Sequence, residues 1–478
     1  MIEIIINKIA IVLVILSISF YSITLCLADD YQLEKVSVNS LQSLKDALMN
    51  ESKKNKIIVI NTKIDIDNVT IPVDRIVEVA KDGSFTCSKQ SKFIILGKFL
   101  APIKHIFYGE GQVIFGNNSI SEDYPEWWGD DNSANQRAVN SFYRTRWRKN
   151  KVYDGINISI PNDRELVIDG VLQLPRNSVS GSVILKNSDP INGNNNIKIV
   201  GEGTLSGNKL QQYGNDTRHM LVHFNNCTNT EFAVKNVVGN YFPINISAKY
   251  TGALILVENS RNISIHDSSG TDYGRECFWL KNCDDSYMIN LKAIGGNDSW
   301  SGFQFSGKNN IAHRLYSENA GASGVSFDCK DSQLDDVTVK NNRYFHGINF
   351  GHPNAPATNV LAKNLNSYNA KQYGISIVNG SSGIVLNNSA VYKAGSHCYN
   401  ISANATNVNI ENCIAANCGG NGINVYDAYV VVRSTTITNN MNYGVSVENG
   451  TAVLVDNSFN GNLKGQILRR KAGNVEYN

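Results

Sequence analysis

The chain has 478 residues, with 44 Lys and Arg against 42 Asp and Glu, a formal net charge of +2. Near-neutral charge argues against a polyanion clamp, so no nucleic-acid partner is expected. The length suits one large elongated domain if the fold is a repeat, because a solenoid escapes the usual size limit on a single core.

Residues 1–28 read as a targeting segment. Lys8 precedes an apolar run over residues 9–20 that continues to Ala28, and Cys26-Leu27-Ala28 is a cleavage site of small-residue type. The reading taken is export, to a secreted, periplasmic or cell-surface location, with no stable membrane span after cleavage. A retained anchor is the alternative, since the run approaches spanning length. Beyond Cys26 stand eight cysteines, Cys87, Cys227, Cys277, Cys283, Cys329, Cys398, Cys413 and Cys418. Their spacing matches no zinc pattern, and an even count in an exported chain allows disulfides. Buried Cys also packs as a small hydrophobe inside a solenoid, so most are expected to be free thiols.

Residues 29–123 form an entry module with the first coils. Ser40 caps a short helix through Ala47 and Leu48, and strand-like runs follow at Ile57-Ile58-Val59-Ile60, Val69-Thr70-Ile71 and Phe93-Ile94-Ile95-Leu96. The stretch 106–115 reads as two strands around a turn. Residues 124–150 hold a junction, Tyr124-Pro125-Glu126-Trp127-Trp128-Gly129. A helix bearing Ala134, Ala138 and Phe142 follows it, with Asp131, Asn132 or Ser133 as its cap. That helix is expected to cover the open end of a coil stack, which would otherwise pair with other chains.

Residues 151–478 carry the repeat, its first coils starting near Ile156. A cassette of Gly-apolar-polar-apolar recurs at Gly302, Gly324, Gly347, Gly374, Gly422, Gly444 and Gly465, with Cys398 in the same place once. Five residues earlier stand Asn297, Asn319, Asn342, Asn369, Lys393, Asn417 and Asn439. A spacing of 20–30 residues means stacked coils. Phe303-Gln304-Phe305, Val325-Ser326-Phe327 and Ile348-Asn349-Phe350 alternate with period two, so the unit is a strand. The Asn suits a left-handed bend and a hydrogen bond to its counterpart one coil on. The fold class expected is all-β: a single-stranded right-handed parallel β-helix with an N-terminal capping helix and a small entry module. The stack is expected to end in a weak coil at Gly465-Gln466-Ile467-Leu468, with Arg469, Arg470 and Lys471 closing it by charge.

The Pro125-Glu126-Trp127-Trp128-Gly129 junction and its helix resemble the entry of the pectate-lyase-like superfamily, in which tailspike-type polysaccharide depolymerases carry similar junctions. Gly201-Glu202-Gly203-Thr204-Leu205-Ser206-Gly207-Asn208 is similar to a turn of polygalacturonase-like hydrolases. Gly324-Val325-Ser326-Phe327-Asp328 and His346-Gly347-Ile348-Asn349-Phe350 are similar to coils of mannuronan C5-epimerases. The resemblance implies a β-helix that processes an extracellular or cell-envelope polysaccharide. The Asp-Pro-His-Glu signature of the epimerases is absent, as are the paired Asp, Gly-His-Gly and Arg-x-Lys motifs of the hydrolases. Lyase, epimerase and hydrolase chemistry therefore stay open, as does a non-catalytic glycan-binding protein. By analogy with tailspikes a trimer is open too, and no interface stripe specifies one.

Strand parity sends Trp279, Gln304, Ser326, Asn349 and Ser376 out of the coil, and then Lys281, Ser306, Asp328 and Gly351. Arg275, Glu276, Trp300, Arg343, Tyr344, His346 and His352 lie on the adjoining turns. The wall over residues 275–352 thus gathers acid, base, cation and aromatic groups, and lyase or epimerase chemistry on a uronate needs those types. Lys281 or Arg275 would neutralise the carboxylate. His346, His352 or Tyr344 would take the α-proton, and Asp328 would supply an acid. Trp279 and Trp300 would stack on sugar rings, with Gln304, Arg343 and Asn349 binding substrate. For hydrolysis the available pairs are Asp328 with Asp335 or Asp336, and Glu276 with Asp284 or Asp285. No cofactor is required; calcium is compatible with such folds, but no carboxylate cluster compels a metal.

Overall fold

The computed structural model describes residues 33–179, 181–212, 219–239, 252–295, 300–352 and 354–477. The leader 1–28 and Asn297 lie outside them. The described chain forms two compact units, residues 33–102 with 107–120, and residues 103–106 with 121–477.

The first unit opens with the helix Leu41–Met49, N-capped by Ser40, whose hydroxyl accepts from the Ser43 N–H. Its strands form three small sheets with parallel pairing throughout, so this module is itself a short coil stack. The two strands expected over 106–115 are present as Phe107–Tyr108 and Gln112–Phe115. They do not pair with each other, because each joins a different sheet. Their apolar residues line a Phe-rich core in which Phe85, Phe93, Phe99 and Phe107 touch.

The second unit is a parallel β-solenoid, one 33-stranded sheet among the described residues. Its first strand is Arg144–Trp147, so the coils begin before the expected Ile156. The helix Asn132–Ser141 caps this end, with Asp131 as N-cap and Ala134, Ala138 and Val139 buried. Its polar side chains finish the open edge of the first coil. Asn132 Oδ1 accepts from the Ile156 N–H at 2.7 Å, and the Gln136 amide both accepts from the Ser159 N–H (2.7 Å) and donates to the Ser159 carbonyl (2.9 Å). Edge groups that would template another chain are thereby satisfied. The junction before the helix is structural as well: buried Glu126 accepts from Tyr153 Oη and from Arg148 Nε, each at 2.8 Å.

Parity holds along the stack. Trp279, Gln304, Ser326, Asn349, Ser376, Asn400, Asn424 and Ser446 stand in one register column. The Phe and Ile residues beside them fill the interior. The cassette Gly is set by room. A Cβ on Gly324 would meet Val339 Cγ1 at 2.2 Å, so the coil closes only without a side chain there. Where Cys277 holds the Gly position, Gly270 opposite it makes the space, since a Cβ there would reach Cys277 Sγ at 2.0 Å. Val391, which faces Gly374, is followed in the register by the smaller Ala415 on the coil where Cys398 holds the Gly position.

The expected left-handed bends are found at Asn319, Asn369, Asn417 and Asn439, and Lys393 adopts the same conformation. At the remaining described coil the bend falls on Asn341 and not on Asn342, because the turn into Gly347 carries one extra residue. Asn369 Nδ2 donates to Asn341 Oδ1 at 3.0 Å, the inter-coil bond expected of these residues. A second, buried ladder satisfies turn N–H groups that face no carbonyl. Ile263 N–H donates to Ser286 Oγ, Ser286 N–H to Asn310 Oδ1 and Asn310 N–H to Ser332 Oγ. At the far end, Arg469 and Arg470 lie within the strand Gly465–Arg470, and a further strand, Asn474–Tyr477, continues the coil. The basic run is therefore part of the stack and does not terminate it.

Among the described residues six cysteines are free and buried, as expected for most of them, while Cys398 and Cys418 form a disulfide. Alkylation of the unfolded, unreduced protein is expected to label the six and leave Cys398 and Cys418 in one cross-linked peptide by mass spectrometry. Asn310 also donates to the Cys283 carbonyl at 2.8 Å. Asn310→Ala strands that carbonyl and the Ser286 N–H, at about 1–3 kcal/mol per orphaned group. A clear fall in the urea unfolding midpoint is the expected outcome.

Candidate functional site

The wall over residues 275–352 divides into two neighbouring groups. In the first, the Arg275 guanidinium lies over two rings, 4.8 Å from the Trp279 centroid and 5.6 Å from that of Trp300. It also pairs with Glu276 at 3.1 Å. Glu276 is fully buried, and burial pushes its carboxyl up to about 7 against the pull of Arg275. Lys281 Nζ sits 5.4 Å from the Trp279 ring and 2.6 Å from Glu258, which also holds His223 Nε2 at 2.9 Å. The hydrogen bond with His223, helped by Lys281, draws Glu258 down to about 2 despite burial.

Sequence reasoning missed Glu258 and His223. The register pairs Asn225 with Glu258 and Glu258 with Lys281, so the Lys281 column carried one coil upstream would have found the acid. Trp279 was expected to offer a face to sugar. It is buried instead, packed with Val183, Met220, Ala253 and Leu256 and overlain by two cations, and its Nε1 has no partner. Lys281 is already paired. Trp300, 55% exposed, keeps open surface.

The second group lies on the next coils. Gln304, Ser326 and Asn349 continue the Trp279 column, and Asp328 pairs in register with Ser306. Although it points out of the coil, Asp328 is only 6% exposed. Ser326 Oγ donates to its Oδ2 at 3.4 Å, while Oδ1 has no partner. Burial pushes its carboxyl up to about 7, and the bonds from the Ser326 hydroxyl and the Gly351 N–H pull the other way. Asn349 Nδ2 donates to the Gly351 carbonyl at 2.8 Å, leaving its Oδ1 unpartnered.

His346 stacks on Tyr373, centroids 5.0 Å apart and 9° from parallel, and Tyr373 stacks in turn on His397. Burial pushes His346 down to about 4, so the ring is neutral at pH 7, and its Nδ1 has no partner. Arg343 and Tyr344 are exposed on the turn before it, and His352 is exposed beyond Gly351, with its backbone paired to Ala355.

Several of the carboxyls considered for hydrolysis are committed to other partners. Asp328 and Asp335 lie on either side of the left-handed residue Asp331 within the strand Val325–Lys340. Asp335 is held by His313 and Asn364. Asp284 accepts from the Lys308 N–H, and Asp285 is taken by Arg261 and Asn309. Among the described residues, no group of three His, Cys, Asp or Glu side chains is placed to hold a metal ion.

A family model described as "Right handed beta helix region" matches residues 301–463. Among solved structures, the A-module of mannuronan C-5 epimerase AlgE4 from Azotobacter vinelandii is similar, with 15% identity over 74% of this chain and 99% of that one, at a TM-score of 0.52. PfbA, a surface adhesin of Streptococcus pneumoniae, gives 13% identity, 73% and 93% coverage and a TM-score of 0.41. The catalytic domain of a GH87 alpha-1,3-glucanase gives 12%, 94% and 70%, and 0.37. No curated protein sequence matches the chain. The family model and the likeness to the epimerase A-module establish the right-handed parallel β-helix. At such identities they say nothing further about activity.

Asp328 makes stability depend on pH in a defined direction. Its acid form is favoured by folding, so its contribution is complete below the unfolded value of about 4 and is lost as pH rises through about 7. Urea midpoints measured from pH 4 to pH 8 are expected to fall more steeply for the native chain than for Asp328→Asn. Parallel profiles would contradict the placement of this carboxyl.

Proposed function

We propose that the chain is an exported carbohydrate-active β-helix that acts on a uronate-containing polysaccharide lying along the 275–352 wall, by β-elimination or by C5 epimerisation. The observation that carries this reading is the set of buried polar atoms without partners on neighbouring coils: Asp328 Oδ1, His346 Nδ1 and Asn349 Oδ1. Such atoms cost free energy unless a ligand or water completes them. Arg275 is the cation for the substrate carboxylate, and withdrawing that charge acidifies the C5 proton. Asp328, poised to titrate near neutrality, suits proton transfer at C5. In elimination the C5–H and C4–O bonds break, C4=C5 forms, and the leaving oxygen takes a proton. In epimerisation the proton is returned to the opposite face.

The leader 1–28 and the Cys398–Cys418 bridge support export to an oxidising compartment. Among the described residues no helix is long and apolar enough to cross a membrane. Two-carboxylate hydrolysis has less support, because Asp335 and Asp285 are each committed to other partners. A binding-only reading draws on His346, whose ring is locked in an aromatic stack and is a weak base.

Polymannuronate and polygalacturonate incubated in D2O separate these readings. New ultraviolet absorbance marks an unsaturated uronate, and deuterium at C5 without cleavage marks epimerisation. Asp328→Asn is expected to lower either rate at least 10²-fold, the usual size of a lost acid–base group. Reducing ends with neither signal would mean hydrolysis, and binding without turnover would leave a glycan-binding wall.

A further inference from the structure

The strands Val325–Lys340, Thr358–Tyr368, Ser382–Asn387, Val408–Glu411 and Tyr429–Arg433 stack on successive coils. The register carries two columns through them. One runs Gln333, Leu361, Val385, Asn409, Val431, and the other Asp335, Lys363, Asn387, Glu411, Arg433. The residues between the columns, Leu334, Ala362, Leu386, Ile410 and Val432, are buried in the core, so period two turns both columns outward. Leu361, Val385 and Val431 are nonetheless apolar, and they are only half-buried. A wall that faces water alone carries polar side chains on its outer side.

The second column alternates in sign: acid, base, neutral, acid, base. Among the described residues, the side chains of Lys363, Glu411 and Arg433 enter no hydrogen bond or ion pair, although the register sets Glu411 beside Arg433. Asp335 is held by Asn364 and faces His313, and its side chain stays 38% exposed. Turned end for end about Asn387, this column is its own complement. Asp335 then meets the second copy's Arg433, and Lys363 meets the second copy's Glu411, each twice. A two-fold axis along the Ser382–Asn387 strand performs that turn, laying two solenoids antiparallel and face to face. The same axis sets Val385 against its own copy. Sliding one copy by a single coil puts Asp335 on Glu411, or in the other direction Lys363 on Arg433, and like charges resist both slips. A parallel arrangement would set each charge level with itself.

We propose that this wall is the face on which two copies of the chain associate, antiparallel about Val385 and Asn387. The self-complementary charge column names the occupant as a second copy. The face spans four coil spacings, ~19 Å. That is short of the ~1,600 Å² of a standard interface, so the dimer is weak, and its exposed ion pairs make it salt-sensitive. Neither the Trp279 column nor Asp328 belongs to this face, so the inference stands apart from the glycan reading.

The test is sedimentation of the full chain from micromolar to millimolar concentration, with thermal unfolding as the check on folding. The native chain is expected to approach a reversible dimer, and to do so less in high salt. Lys363→Glu and Glu411→Lys are each expected to weaken association at least ~tenfold, and the two together in one chain to restore it. Asn387→Cys puts a thiol on the axis, where a short bismaleimide is expected to join two copies. Gln333→Cys lies ~19 Å from its own copy in this arrangement and is expected not to be joined. A monomer at every concentration overturns the proposal. So does an oligomer indifferent to the single charge variants, or a folded double variant that fails to recover. Gln333→Cys joined as readily as Asn387→Cys would mark a parallel face and overturn it too.

Discussion

Parallel pairing of each coil on the next sets the height of every residue and the side of the wall it faces. Backbone hydrogen bonds run from coil to coil, so a one-residue slip within a paired strand would carry that strand's side chains to the wrong face, whereas an extra residue in a turn, as before Gly347, is absorbed. The features that hold the register are steric and polar. Gly324 closes against Val339, the Ser286–Asn310–Ser332 ladder completes turn N–H groups, and Asn132 and Gln136 finish the first coil's open edge. The register puts Arg275, Glu276, Asp328 and His346 at defined places within four successive coils.

The same constraint explains why ionisable groups can persist here. The register neighbours of an outward position come from other coils. Glu258 gathers His223 and Lys281 from the coils on either side of it and is held fully ionised. Asp328 has Ser306 as its register neighbour and the Gly351 N–H beside it, with no cation bonded to it, so burial dominates and its proton is retained near neutrality. Two carboxyls on one wall are pushed in opposite directions by neighbour identity, a pattern that separates acid–base work from structural ion pairing.

Much of this was legible in the sequence because parity and a repeated Gly are local signals. The Gln304–Ser326–Asn349 column, the inward Phe residues and the Asp131-capped helix follow from period two and from capping chemistry. What was not legible depends on distance in space. Nothing about Trp279 in the sequence says that Val183 and Met220 will pack on its outer face, or that outward Asp328 will be nearly buried. The bend moved from Asn342 to Asn341 because a single extra turn residue has no periodic signature. The Cys398–Cys418 bridge joins residues that spacing alone could not pair.

The central claim is that Asp328 is an outward, buried carboxyl without a cation, poised to exchange its proton near neutral pH. Infrared difference spectra between the native chain and Asp328→Asn, followed from pH 4 to pH 9, report that group directly through its protonated carbonyl band. The account predicts a band that disappears with a midpoint near 7. A midpoint near the ordinary aspartate value of about 4 would contradict it.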